Sequence, residues 1–176
     1  PPVLSRIGTK TVFEDDLLWF NVTAVDIDTE PTDKLLFGED FDRFEINSLT
    51  GEVRWRPSND DVGIHLVNFS VTDGIDGNDY ELVNISVLNV NDPPFLYRDL
   101  PDISFLEDRT RENALDLDEY FTDVDETTLA YSYESNPNII TTIHDNGVVD
   151  LAAAENWSGT AEINFTATDS ANATAS

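Results

Sequence analysis

The feature that most restricts this chain is that it repeats itself once. Pro1-Pro2-Val3 returns as Pro93-Pro94-Phe95, Phe13-Glu14-Asp15 as Leu106-Glu107-Asp108, and Asp26-Ile27-Asp28 as Asp123-Val124-Asp125. Thr50-Gly51-Glu52-Val53 returns as Asn146-Gly147-Val148-Val149, and Val71-Thr72-Asp73 as Ala167-Thr168-Asp169. The offset is 92 to 97 residues, much longer than a solenoid unit. A chain of 176 residues therefore reads as two modules, each the size of one small domain. The boundary falls at Asn91-Asp92-Pro93-Pro94, giving modules 1–92 and 93–176.

Inside each module the apolar residues alternate over five to nine positions, with Gly, Pro, Asn and Asp between the runs. Leu18, Phe20, Val22 and Ala24 share one parity, as do Val67, Phe69 and Val71, then Val83, Ile85 and Val87, then Ala161, Ile163, Phe165 and Ala167. A period of two puts each set on one face of a strand. Many short strands in about 92 residues predict an all-β fold, two tandem Greek-key sandwiches of the immunoglobulin kind. After Asp73 the first module continues through a hairpin turn and a last strand to Val90, whereas only Ser170 to Ser176 follow Asp169. The second sandwich is thus expected to lack its last strand, and the chain to be a segment of a longer protein.

Composition narrows the partners. Asp and Glu number 36 against 9 Lys and Arg, a formal net charge of −27. Such a polyanion repels phosphate backbones and anionic headgroups, which argues against nucleic acid and membrane surfaces. No apolar run approaches the roughly 20 residues of a membrane helix, so no direct membrane insertion is expected of this segment. Cysteine is absent, which removes disulfides and thiol chemistry. The two histidines, His65 and His144, stand in no nucleophile motif, so no enzyme is expected. His65 is expected to pack or cap beside the Val67 strand.

Asn-x-Ser/Thr occurs at Asn21, Asn68, Asn84, Asn156, Asn164 and Asn172. These are candidate glycosylation sites and point to an extracellular, cell-surface protein. Asn21, Asn68, Asn84 and Asn164 all have the outward parity of their strands, where a glycan leaves the core undisturbed.

Several motifs carry a family resemblance. Phe44-Glu45-Ile46-Asn47, Thr50-Gly51-Glu52-Val53-Arg54-Trp55, Pro57, Asp61-Val62-Gly63, Val71-Thr72-Asp73-Gly74 and Val90-Asn91-Asp92-Pro93-Pro94 resemble the dystroglycan-type cadherin-like repeat of microbial surface proteins. The second module resembles the bacterial and archaeal cadherin-like tandem repeats. The resemblance implies Ca²⁺ between modules. Its ligands would be Glu14, Asp60 or Asp61, Asn91 and Asp92 from the first module and linker, and Asp123, Asp125 and Asp169 from the second. The backbone carbonyls of Val90 and Pro93 would complete the set. Asn89 replaces the family's usual Asp, and Pro93 its usual Asn. Two half-sites are implied as well, at Asp26, Asp28 and Asp73 and at Glu107 with Glu155.

The residues themselves agree with a hard cation, which takes six to eight oxygen ligands. Asp123 and Asp125 at i and i+2 leave a strand end on one side, and the two prolines after Asp92 restrict it to extended backbone. Asp123 to Glu134 mimics an EF-hand, but Thr128 stands where Gly is required and Leu129 to Tyr133 alternate like a strand. The expected function is a calcium-rigidified structural or adhesive segment of an S-layer-type or adhesin-type protein. Its partners would be neighbouring modules and a homophilic or surface-protein contact. The alternative is a carbohydrate-binding module that grips polysaccharide through Trp19 and Trp157, with Trp55 in the core.

Overall fold

A computed structural model describes residues 1–27 and 34–176. The chain forms two compact units, Pro1–Val90 and Asn91–Ser176. The first contains β1 (Val3–Leu4), β2 (Lys10–Phe13), β3 (Leu18–Asn21), β4 (Ala24–Val25), β5 (Leu36–Glu39), β6 (Glu52–Trp55), β7 (Gly63–Thr72) and β8 (Asn78–Leu88). One sheet runs β2-β8-β7-β5, with β2 parallel to β8 and the other pairs antiparallel. Opposite it lie the pairs β3-β6 and β1-β4.

The alternation in sequence becomes the core. Val67 and Phe69 on β7, with Val83, Ile85 and Val87 on β8, pack against Leu18, Val22, Val53 and Trp55 of the facing layer. Phe44 and Ile46, before β6, fill the space between. Burying a large aliphatic or aromatic side chain is worth about 1.5–3 kcal/mol, so this cluster dominates the unit's stability. Trp55 is in the core as its parity predicts. Its ring also meets His65 at 5.6 Å and Phe41 at 5.4 Å.

Asp79 and Glu81 on β8 fasten the N-terminal segment. Asp79 Oδ2 accepts from Leu4 N, and the two oxygens of Glu81 accept from Ile7 N and Gly8 N. Gly51 makes the turn into β6 with φ of +71°. A Cβ there would lie 2.0 Å from Val22 O, a backbone atom that cannot step aside. Gly51→Ala is expected to destabilise the first unit by more than about 1 kcal/mol, read from the urea midpoint at constant m-value.

The second unit contains β9 (Phe95–Leu96), β10 (Thr110–Asp116), β11 (Phe121–Thr122), β12 (Ala130–Tyr133), β13 (Ile139–Ile143), β14 (Val148–Ala153), β15 (Phe165–Thr168) and β16 (Thr174–Ala175). Its sheets are β10-β14-β13, β12-β15-β16 and the pair β9-β11. Leu115, Leu117, Phe121, Val149, Leu151 and Phe165 are among its core residues. The last part of the segment that mimics an EF-hand is β12, a strand paired with β15 along four residues.

The two units repeat a hairpin turn atom for atom. Asp73 N donates to Gly77 O and Asp73 Oδ1 accepts from Gly77 N; Asp169 N donates to Ala173 O and Asp169 Oδ1 accepts from Ala173 N. Both are Asx turns, in which the carboxylate replaces a backbone acceptor. In the first unit the turn leads into β8, of 11 residues; in the second it leads into the two residues of β16.

Candidate functional site

In the first unit two acids, Glu14 and Asp61, are buried. The turn after β2 places Glu14, whose Oε1 accepts from Val90 N at 2.7 Å. Asp15 then takes a left-handed backbone, φ 59°, and its N–H donates to Pro57 O. This bond sets the Glu14 turn beside the Ser58–Asp61 turn. There Asp61 Oδ2 caps the turn by accepting from Ser58 N at 2.9 Å and from Ser58 Oγ at 3.1 Å. Glu14 and Asp61 are 3 % and 5 % exposed, whereas Asp60 points to solvent. The sequence left Asp60 and Asp61 as alternatives; the structure buries Asp61 alone.

Asp61 Oδ1 accepts no hydrogen bond and faces Arg43 Nε at 3.5 Å. A cation already lies against this oxygen, held by a half-exposed side chain. His65 Nε2 donates to Asp61 O at 2.6 Å, so this histidine serves the same turn and the aromatic core.

The second unit joins five of the residues singled out in the sequence. Asn91 Nδ2 donates to Asp169 Oδ2 at 2.8 Å and to Asp92 O at 3.1 Å. Asp92 N donates to Asp125 Oδ2 at 2.7 Å, and Asp125 N to Asp123 Oδ1 at 2.7 Å. The chain of contacts therefore runs Asp169, Asn91, Asp92, Asp125, Asp123. Asp169 is 5 % exposed. Asp123 Oδ2 is buried and has no hydrogen-bond partner. Sequence reasoning missed Glu126, whose N–H donates to Asp123 Oδ1 and whose carboxylate accepts from Ser170 N and Oγ. An acid one residue past an Asp-x-Asp pair was the available signal.

Val90 and Pro93 are both exposed at the surface of their own units. Asp73 is engaged in its Asx turn, while Asp28 lies outside the described residues. Among the described residues no group of three or more Asp, Glu or His side chains stands at metal-holding spacing. Several of the carboxylates are instead aimed at backbone amides. The donor set is all oxygen, which suits Ca²⁺ or Mg²⁺ over softer-ligand metals. The orphaned oxygen of Asp123 fits a cation, since a buried charge without a partner is costly.

The Asn91 amide, first of all, holds the Asp169 carboxyl below its ordinary value of 3.8, assisted by backbone amides of Ala173, Ala171 and Asn172 against the opposing effect of burial. The folded state thus binds this proton less tightly than the unfolded chain. Asp169 adds stability above about pH 4 that is lost as pH falls through its lowered folded value. Asn91→Ala is expected to move the Asp169 titration up towards 3.8, followed by carboxyl NMR, and to let the second unit unfold at a higher pH in acid.

The tryptophans divide differently from the carbohydrate expectation. Trp19 is exposed, with its indole N–H donating to Glu52 Oε1 at 2.7 Å. Trp157 instead packs against the second core, because the turn at Ala154–Trp157 folds the ring under Gly159. His144 pairs with Asp150 at 2.9 Å on the surface. Among the described residues no helix is long and apolar enough to cross a membrane.

No family model matches the chain, and no curated protein matches it. Solved structures do. Human Protocadherin-24 EC1-2 (Form II) aligns with a TM-score of 0.57 at 19 % identity, covering 96 % of this chain and 87 % of that one. Drosophila N-cadherin EC1-4 gives 0.59 at 15 % identity, over 95 % of this chain and 45 % of that one. Protocadherin Gamma B7 extracellular cadherin domains 1-4 give 0.57 at 16 %, over 99 % and 47 %. The chain spans most of the first and less than half of the other two. At these identities the likeness is one of fold: the chain is built as cadherin-like β-sandwiches.

Proposed function

We propose that this chain is an extracellular, calcium-binding tandem module that acts as a structural or adhesive segment of a larger surface protein, of the S-layer or adhesin type. It works by binding, without turnover. The observation that carries the reading is Asp123 Oδ2, a buried carboxylate oxygen with no donor, inside a network that already holds Asn91, Asp92, Asp125 and Asp169 together. The cadherin-like fold supports it, since one of the similar structures, Protocadherin Gamma B7, is described as extracellular cadherin domains.

The residues that would hold the ion are Glu14 and Asp61, with Asp60 beside them, then Asn91, Asp92, Asp123, Asp125 and Asp169, and the carbonyls of Val90 and Pro93. Bound Ca²⁺ supplies concentrated positive charge that offsets the mutual repulsion of these acids. Glu14 secures the last residue of the first unit, and Asn91 and Asp92 are the first residues of the second. Ligands drawn from both acid sets favour one arrangement of the Val90–Asn91–Asp92 joint by their differential affinity. Extracellular modules bind Ca²⁺ at roughly 10⁻⁴ to 10⁻³ M, a range suited to the outside of a cell. Neighbouring modules and a homophilic or surface-protein contact are the partners this reading implies.

Small-angle scattering in tens of millimolar Ca²⁺ and in excess chelator tests it. A narrower distribution of interatomic distances in calcium is the expected result. Identical profiles in the two buffers would sink the stiffening mechanism.

A further inference from the structure

We propose that Asn68 and Asn84 carry N-linked glycans, and that these sugars cover the apolar outer face of the four-stranded sheet. That face is formed by the outward positions of β7 and β8. Four of its large residues, Ile64, Leu66, Tyr80 and Leu82, are between 58 % and 76 % exposed. Large apolar side chains exposed together on one sheet face offer a surface to an occupant.

The strand register says which. Leu66 is directly opposite Asn84, and Leu82 directly opposite Asn68. The hydroxyl residue of each sequon continues the pattern, with Ser86 opposite Ile64 and Ser70 opposite Tyr80. Two sequons therefore run antiparallel on neighbouring strands, each facing two of the exposed apolar side chains of the other. Directly opposed Cβ atoms lie about 4.5–5.5 Å apart, so the first sugar on either asparagine starts within reach of a leucine. The C–H faces of the sugars bury that apolar surface, and their hydroxyls take its place at the solvent boundary. A protein partner would have to displace two carbohydrate chains rooted in the middle of its footprint.

The remaining sequons lack this relation. Asn21 is opposite Glu52, and the Asn164 side-chain amide donates to Glu134 Oε2 at 3.0 Å. Asn156 and Asn172 sit in turns with left-handed backbone, φ 58° and 68°. The acceptor chemistry needs only a polyprenyl-diphosphate-linked oligosaccharide and a transferase. The asparagine carboxamide nitrogen attacks C1 of the sugar, and the N–C1 bond forms as the C1–O bond to the diphosphate breaks. The lipid diphosphate leaves with the bonding pair, and one amide proton passes to a base.

The inference rests on the extracellular part of the proposed function but not on calcium, so calcium-free buffer keeps the two separable. The test secretes residues 1–176 from eukaryotic cells behind a removable leader and compares wild type with N68Q/N84Q. Glycopeptide mass spectrometry should show both asparagines occupied. Removing both sites should raise the fluorescence of an apolar-surface dye several-fold, with unchanged far-ultraviolet dichroism. Adding Leu66→Ser and Leu82→Ser to that variant should return the dye signal to the wild-type level. Unmodified Asn68 and Asn84 would overturn the proposal. So would a dye signal that ignores glycan loss, or a glycosylated chain that dimerises through this face and is made monomeric by the two serine substitutions.

Discussion

In tens of millimolar calcium the second unit is expected to unfold on the order of 10 °C above its midpoint in excess chelator, and Asp123→Asn is expected to abolish that shift. The size follows from mass action. At about 100 Kd a single site adds roughly 2.7 kcal/mol, and for a domain of this length each kcal/mol moves the midpoint by about 4–8 °C. Asparagine keeps an oxygen for the amides of Asp125 and Glu126, which Asp123 Oδ1 accepts, so the local turn survives. What it removes is the charge on Oδ2, buried without a donor. In chelator the variant should therefore be as stable as wild type or more so, because an uncompensated buried charge has been taken away. A purely structural role for Asp123 would instead lower stability in both buffers. Magnesium at equal concentration should give the smaller shift, since it demands a tighter octahedral shell and gives up its water reluctantly. Scanning calorimetry on the two proteins in the three buffers decides among these outcomes.

Phe69→Ala is expected to remove about 3–5 kcal/mol from the first unit and to leave the second unit's transition where it is. Phe69 has no solvent exposure, and its ring lies 5.7 Å from Phe20 and 6.2 Å from Phe44. Truncation deletes these aromatic contacts and leaves a cavity between two sheets that a strand backbone cannot collapse to fill. Small domains are stable by only about 5–15 kcal/mol, so the loss approaches the whole reserve of the first unit. The separate cores of the two units confine the effect. Tryptophan fluorescence reads it well, as Trp19 and Trp55 report on the first unit and Trp157 on the second. A matching downward shift of both transitions would show that the units do not unfold independently.

The strands of both units were legible wherever one face was buried, because a period of two leaves its mark in the sequence. Val67, Phe69, Val83, Ile85 and Val87 are all buried as their alternation predicts. The repeat of Val71-Thr72-Asp73 as Ala167-Thr168-Asp169 is plain in the sequence, but that each Asp closes an Asx turn is shown only by its bonds. Contacts between residues far apart in sequence were not legible. Nothing near Arg43 announces that it meets Asp61, and Glu81 holding Ile7 and Gly8 leaves no periodic trace. Asp60 and Asp61 differ by one place, and only the cap on Ser58 determines which is buried. Trp157 looked like a surface residue because turns are usually exposed; its ring is large enough to bend back onto the core.

The parallel pairing of β2 with β8 sets the order in which the first unit can be made. Lys10 is paired with Ile85 and Phe13 with Leu88, so within this unit the four-residue strand β2 finds its partner only after nearly the whole unit has been translated. Closing such a large loop is the slow kind of event in folding. Until then the nascent segment carries Val12 without a cover, and a chaperone has its longest opportunity to act there.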